Sequence, residues 1–430
     1  MRNLSYSLFL LVFFHCPTNL VAQTSKPKKI YLVKGGDGGI LVVHNPAIHK
    51  AGDTLVVKAG GGPYTYIYLG KFTGTKQAPY ILVNEGGVVS LIEDCQHLKV
   101  SGSGGKERYG FAVNGTPGTA VAIHGKSAHI EVERLYIKEA AFGCWIKNEA
   151  SCDTVLNNWV LNDISIHDYE MHQIRIEGFY MGSTDANNKS RPITCGSIQR
   201  FYRPTRLGNI RIYNGVINGT GRPAIMLSNA SVGMSEIYNN KISNVGREFN
   251  DQQGTGIAIG LYTRAYVHHN QIKNTYTWGI ASLGGSGYLR IEDNSIDSSG
   301  YLDGRTLSWP WNILVDTRET FPIEKTRFSI KNNKLGKSGN PDNIYIGKTV
   351  PTYDAGNVIC NNTVAGKPAR VDVESGIAWY ECESISKGSQ SKVRGMILPG
   401  VIILSLFGVF MFVQVRYSQK KVSQEFLART

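Results

Sequence analysis

Charge is scarce in this 430-residue chain: Asp, Glu, Lys and Arg make up 18% of it, against 42% hydrophobic residues. That balance excludes an intrinsically disordered protein. Cysteine is sparse too, with seven in all, too few for a disulfide-built scaffold of this length. No two cysteines have the CxxC spacing of a zinc site. Long hydrophobic runs are confined to the two ends. No nucleic-acid motif accompanies the formal net charge of +13, so that charge points to anionic glycan, anionic lipid or an envelope surface rather than nucleic acid.

The N-terminal run reads as an export signal. Arg2 supplies the positive start, Leu8 to Phe14 the apolar stretch, and Leu20-Val21-Ala22 a cleavage site. His15 is a poor neighbour for a lipidated Cys16. The C-terminal run, Met396 to Val415, has the ~20 residues a helix needs to cross a bilayer. Arg416, Lys420, Lys421 and Arg429 follow it and place the tail on the cytoplasmic side. A processed sorting tail is the alternative. The expected organisation is a signal peptide at 1–22, one folded domain at 23–380, a linker at 381–395, a transmembrane helix at 396–415 and a tail at 416–430. The protein is expected to be exported, with its folded domain outside the cytoplasm.

A short unit of six residues recurs through the body: an apolar residue, any residue, two polar residues rich in asparagine, any residue, and an apolar residue. It occurs as Ile237-Tyr-Asn-Asn240-Lys-Ile242, Val267-His-His-Asn270-Gln-Ile272, Ile291-Glu-Asp-Asn294-Ser-Ile296, Ile330-Lys-Asn-Asn333-Lys-Leu335 and Ile359-Cys-Asn-Asn362-Thr-Val364. Ile212-Tyr-Asn-Gly215-Val-Ile217 has glycine in the fourth place. Between units lie alternating triplets such as Val121-Ala-Ile123, Cys144-Trp-Ile146, Ile174-Arg-Ile176, Ile225-Met-Leu227 and Ile257-Ala-Ile259. Such short strands bury a face only when successive coils stack. The pattern predicts an all-β fold, a right-handed parallel β-helix of three sheets. Asparagine at one turn of each coil would take the left-handed backbone and bond to its neighbour in the next coil. A leucine-rich solenoid would need a more uniform repeat.

This pattern resembles the parallel β-helices of the pectate-lyase superfamily. Ala51-Gly-Asp-Thr-Leu-Val-Val-Lys-Ala-Gly60 is similar to their entry coil, and Thr75-Lys-Gln-Ala-Pro-Tyr-Ile81 to the step that follows. The resemblance covers roughly Ile30 to Ala378. It implies the fold, which hosts lyases, hydrolases, esterases, epimerases and non-catalytic proteins alike. Arg203-Pro-Thr-Arg206 does not match the lyase motif RxPxxR, and the paired aspartates of polygalacturonases are absent. No catalytic role is carried over.

If side chains alternate in and out, the outward residues of the sheet that these triplets build floor a groove. They include His124, Trp145, Lys147, Arg175 and Glu177 at the N-terminal end, then small residues such as Ala258 and Ala281. Cleavage of a uronic acid by elimination needs a cation on the carboxylate and a base for the α-proton. Lys147, Arg175 and His124 are therefore the candidate catalytic residues. The bland reading is a solvated charge stack across coils. An insertion between Glu177 and Asn209 is expected to overhang the groove. It carries Tyr180, Arg200, Arg203 and Arg206, which with Trp145 and Glu177 form the candidate substrate-binding set.

Glu248 and Asp251, among Tyr276, Trp278, Trp309 and Trp311, offer oxygen atoms to calcium. No other metal site is expected. The adjacent His268 and His269 face opposite ways on a strand and count as structural. Equivalent turns of adjacent coils are neighbours, so Cys152 pairs with Cys195, and Cys360 with Cys382 at the C-terminal end. The expected partner is an acidic polysaccharide or other glycan. The reading is either an enzyme acting on that glycan or a non-catalytic glycan-binding or envelope scaffold protein.

Overall fold

A computed structural model describes residues 26–58, 61–84, 91–93, 95–149, 151–184, 192–200, 204–283, 287–316, 325–347 and 356–382. The chain divides into two units, Met1–Ser391 and Lys392–Thr430, and the described residues all lie in the first. No helix among them is long and apolar enough to cross a membrane. The expected signal peptide and membrane helix lie outside the described residues.

The unit at 26–382 is a parallel β-helix. One face is a 12-stranded sheet running from Ile40–Val43 to Val371–Val373. Of the remaining strands, four form two separate hairpins, Ile193–Cys195 with Ile198–Arg200 and Tyr301–Leu302 with Arg305–Thr306, and the other 21 join one sheet. That sheet contains the other two expected ladders, fused because two strands turn the corner unbroken. Ala128–Lys138 pairs with Gln96–Ser101 along its first half and with Phe111–Asn114 along its second. Val160–Ile174 does the same against Arg211–Tyr213 and Val216–Thr220.

The recurring unit builds that corner, but its two polar positions divide the work. The left-handed residue is the one before the recurring fourth-place asparagine: Asn239, His269, Asp293, Asn332 and Asn361, with φ between 55° and 57°. Asn and Asp tolerate this region because their short polar side chains bond locally. The next residue points inward. Asn240, Asn270, Asn294, Asn333 and Asn362 are buried and form one row through the coils. The amide nitrogen of Asn270 donates to the oxygen of Asn294 at 3.0 Å, and that of Asn294 to Asn333 at 3.0 Å. The same nitrogens reach back to the carbonyls of Ile237 and Val267. Buried amides so fully paired cost little and fix register.

On either side of the row, Ile237, Val267, Ile291 and Ile330 stack in register, as do Ile242, Ile272 and Ile296. All are buried, each worth roughly 1.5–3 kcal/mol. Outside, His167, Tyr213, Tyr238 and His268 stack in a column with ring centroids 4.5, 4.7 and 5.0 Å apart. His268 and His269 are not turned apart as the alternation implied. The left-handed turn at His269 brings its Nδ1 within 2.9 Å of that of His268.

Both expected disulfides are present, Cys152–Cys195 and Cys360–Cys382, with Cα atoms 5.5 and 5.6 Å apart. Cys95 and Cys144 are buried and take part in neither disulfide. At the C-terminal end Thr363–Val364 turns back antiparallel on Lys367–Pro368, and Trp379 packs against the core.

Candidate functional site

The strands Thr119–His124, Phe142–Ile146, Phe179–Met181 and Ile225–Leu227 lie side by side in the 12-stranded sheet. Their register sets Ala122, Trp145, Tyr180 and Met226 in one row. This corrects one placement. Ile174-Arg-Ile176 is not a strand of this sheet: Ile174 ends Val160–Ile174, and Arg175 and Glu177 fall in the following turn. Tyr180 takes the position in the row assigned to Arg175.

A cleft of about 540 Å³ opens at the ends of the first two strands, lined by Thr119, Ala122, His124, Trp145, Lys147, Asn148 and Leu156 among others. Its rim is braced across coils. Asn148 donates from its amide nitrogen to the Gly125 carbonyl at 2.9 Å and accepts from the Gly125 N–H at 2.6 Å. Asp153 caps the short helix Thr154–Asn158, as a side-chain oxygen does for free N–H groups at a helix start.

Lys147 is the central cation. Its side chain is only 12% exposed. Its ammonium lies 4.6 Å from the centre of the Trp145 ring and 4.8 Å from that of Tyr180, an attraction of about 0.5–1 kcal/mol per ring at exposed sites. Glu149 pairs with it at 2.9 Å. Phe142 meets the Trp145 ring edge-on at 4.8 Å, and Trp145 meets Tyr180 at 4.7 Å. His124, Trp145, Lys147 and Tyr180 are thus brought together.

Arg175 is elsewhere. It is exposed, and its guanidinium donates to the Pro117 carbonyl at 2.6 Å. Glu177 is not the exposed carboxylate the sequence implied. It is 7% exposed, and its Oε2 has no hydrogen-bond partner among the described residues. Burial pushes its carboxyl up to about 7, against the pull of Arg222 and Lys147 and with a further push from Glu248. A carboxyl with this titration can exchange a proton near neutrality.

The insertion is fastened at the margin of the cleft. Its hairpin, Ile193–Cys195 against Ile198–Arg200, is tied through Cys195 to Cys152, next to Ser151 on the cleft wall. Arg200 is exposed on that hairpin. Arg206 begins the strand Arg206–Gly208, which pairs with Val160–Asn162 in the other sheet. It therefore leaves the candidate binding set. Arg203 lies outside the described residues.

The open groove is shorter than the row of small residues implied. Ala258, Ala281 and Leu314 are buried, and Trp278, Trp309 and Trp311 pack over Ala281 and Leu314. These tryptophans come from turns, whose paths strand alternation does not specify. Glu248, offered as a calcium ligand, is held by Arg222 at 2.8 Å, and Asp251 bonds to Tyr276. Among the described residues, one group brings carboxylates and a histidine together: Glu131, Glu133 and His167. The Lys99 ammonium already sits between the two carboxylates at 2.8 and 3.0 Å.

No protein-family model matches the chain, and no curated protein matches it in sequence. Similar solved structures include an alginate lyase from Paenibacillus sp. str. FPU-7, at 11% identity over 81% of this chain and 99% of that one, with a TM-score of 0.46. Pectate lyase Pel9A shares 11% over 80% and 82%, also at 0.46. An exopolygalacturonase from Thermotoga maritima shares 11% over 76% and 83%, at 0.40. The likeness is one of architecture, the parallel β-helix, and no residue's role passes across it.

Proposed function

We propose that this protein takes an acidic polysaccharide in the cleft beside Thr119–His124 and Phe142–Ile146 and cleaves it by elimination. The observation that supports this most directly is Lys147, a largely enclosed cation held against two aromatic rings at the wall of a cleft. Aromatic faces suit the apolar faces of sugar rings, and the ammonium suits a sugar carboxylate. With the carboxylate neutralised, the adjacent C–H becomes more acidic. His124, on the same cleft wall, is the group to take that proton. The electron pair forms the C=C bond, the glycosidic C–O bond breaks, and solvent returns a proton to the leaving oxygen.

Capture without cleavage is the second reading, and the Lys147–Glu149 pair at 2.9 Å favours it. A cation with a resident counter-ion can exchange it for a ligand's carboxylate and do nothing more. The sequence ends and the two disulfides fit an exported, membrane-anchored protein. The test is to incubate the purified chain with a panel of acidic polysaccharides and follow the absorbance of unsaturated uronate. New absorbance that Lys147→Ala abolishes supports elimination. Binding without absorbance leaves the second reading, and no binding to any acidic glycan ends both.

A further inference from the structure

Glu177 plays no part in the scheme above, yet its setting is the most unusual of any carboxyl near the cleft. It sits in the turn between Val160–Ile174 and Phe179–Met181. Its backbone is tied down, since its carbonyl accepts from the Gly143 N–H at 3.1 Å. Its side chain is buried and its Oε2 is unpartnered among the described residues. The charged groups that act on it come from three places: Lys147 after Phe142–Ile146, Arg222 in the turn before Ile225–Leu227, and Glu248 in the next turn of the same kind. Arg222 and Glu248 neutralise one another at 2.8 Å. Lys147 is shared with Glu149. Among the described residues, Glu177 is thus a buried carboxyl on which the Lys147 ammonium acts.

We propose that Glu177 couples capture of an anionic glycan to uptake of one proton. The inference rests on the reading of Lys147 as the seat of the sugar carboxylate. In the empty site the Lys147 ammonium favours the ionised form of Glu177. An incoming carboxylate takes over that ammonium and brings a second negative charge beside a buried one. Two like charges in a poorly solvated place are costly, so Glu177 takes a proton from solvent. Beside the resident Glu149, the site thus carries one further negative charge, from either the ligand or Glu177. Its titration near neutrality, a consequence of burial, puts the exchange in an accessible pH range. Glu177 is in these terms a specificity-determining residue: a neutral sugar drives no proton uptake, and a uronate does.

The test is calorimetric titration of the full chain in detergent with a defined oligogalacturonate and, separately, an oligomannuronate. Each runs at one neutral pH in two buffers of different ionisation enthalpy. The wild type is expected to take up a fraction of a proton per ligand. Affinity is expected to fall by up to about tenfold per pH unit above the Glu177 midpoint. Glu177→Gln, which keeps the shape and removes the titration, is expected to bind with no proton uptake and a flatter pH profile. Binding by the wild type without uptake, or equal uptake in Glu177→Gln, overturns the coupling and leaves the cleft reading intact. Failure of the wild type to bind either oligouronate overturns the cleft reading and the coupling together. If Glu177→Gln does not fold, the infrared band of a protonated carboxyl in the wild type serves instead: it should grow when ligand is added at neutral pH, and an unchanged band overturns the proposal.

Discussion

The phenolic hydroxyl of Tyr169 donates to the amide oxygen of Asn240 at 2.9 Å, and so ends the asparagine row where Gly215 stands in the repeat. A Cβ on Gly215 would come within 2.0 Å of the Tyr169 ring. Glycine is required there by a neighbour's ring rather than by its own backbone angles. Tyr169→Phe is expected to lower unfolding free energy by about 1 kcal/mol, and Gly215→Asn by more, through overpacking. Combining Gly215→Asn with Tyr169→Leu should recover part of the loss, because the asparagine can then extend the row. Denaturant unfolding of the three variants measures this. A double variant no more stable than Gly215→Asn would show that Tyr169 does not stand in for a missing asparagine.

Within the row, Asn294 donates to the Val267 carbonyl and to Asn333, and accepts from the backbone and side chain of Asn270. Asn294→Leu leaves several of these groups buried and unpaired, at about 1–3 kcal/mol each. A large destabilisation is expected, read by denaturant titration. A loss below about 1 kcal/mol would mean that the row contributes little beyond shape.

Glu177 gives a pH dependence of stability with the opposite sign to an ion-paired carboxylate. Its folded value, about 7, lies above that of a free glutamate. The folded state therefore binds more protons than the unfolded one through the interval between the two values. Stability is fullest below the unfolded value and is lost as pH rises towards 7. The loss is on the order of 3 kcal/mol. Glu177→Gln should be the more stable protein at mildly alkaline pH and lose its advantage in acid. Thermal unfolding of both proteins across that range checks the sign; parallel curves would contradict it.

Lys147→Ala should weaken oligouronate binding by about ten- to a hundredfold, the worth of one charge-assisted contact. Arg175→Ala should leave it nearly unchanged, since that guanidinium is exposed and bonded to the Pro117 carbonyl. Isothermal titration of both variants at two salt concentrations separates them. An equal loss in the two would return Arg175 to the site.

Non-reducing peptide mapping should recover Cys152 with Cys195 and Cys360 with Cys382. Cys95 and Cys144 should react with thiol reagents only after unfolding, as both are buried and burial pushes the Cys144 thiol up. Reaction of Cys144 in the native protein would contradict its place in the core.

The coils were legible in the sequence because their signal is local. An asparagine turn flanked by two inward apolar residues reads the same wherever it occurs, as Ile237 to Ile242 and Ile291 to Ile296 show. The cleft was legible only where strand and turn were both unambiguous, at His124, Trp145 and Lys147. In the next coil two triplets compete within a few residues, Ile174-Arg-Ile176 and Phe179-Tyr-Met181. Both alternate, and only pairing with Phe142–Ile146 selects the second. The burial of Glu177 had no signal at all, because a turn residue's exposure depends on neighbouring coils distant in sequence. The turn tryptophans were visible in the sequence, but their packing over Ala281 and Leu314 was not, for the same reason.

From Asn240 to Asn333, each asparagine of the buried row donates from its backbone and side-chain N–H groups to the amide oxygen of the next. The row accordingly has no intrinsic length. A chain cut after Asn270 and rejoined at Ser295 would offer Asn270 the amide oxygen of Asn333 in place of that of Asn294, and Ile296 would take the place of Ile272, its register partner in the intact chain. One coil is thus a transposable piece, gained or lost without a seam in the interior. Axial length can drift through duplication and excision while the cross-section stays fixed, and the reach of any groove on the surface drifts with it.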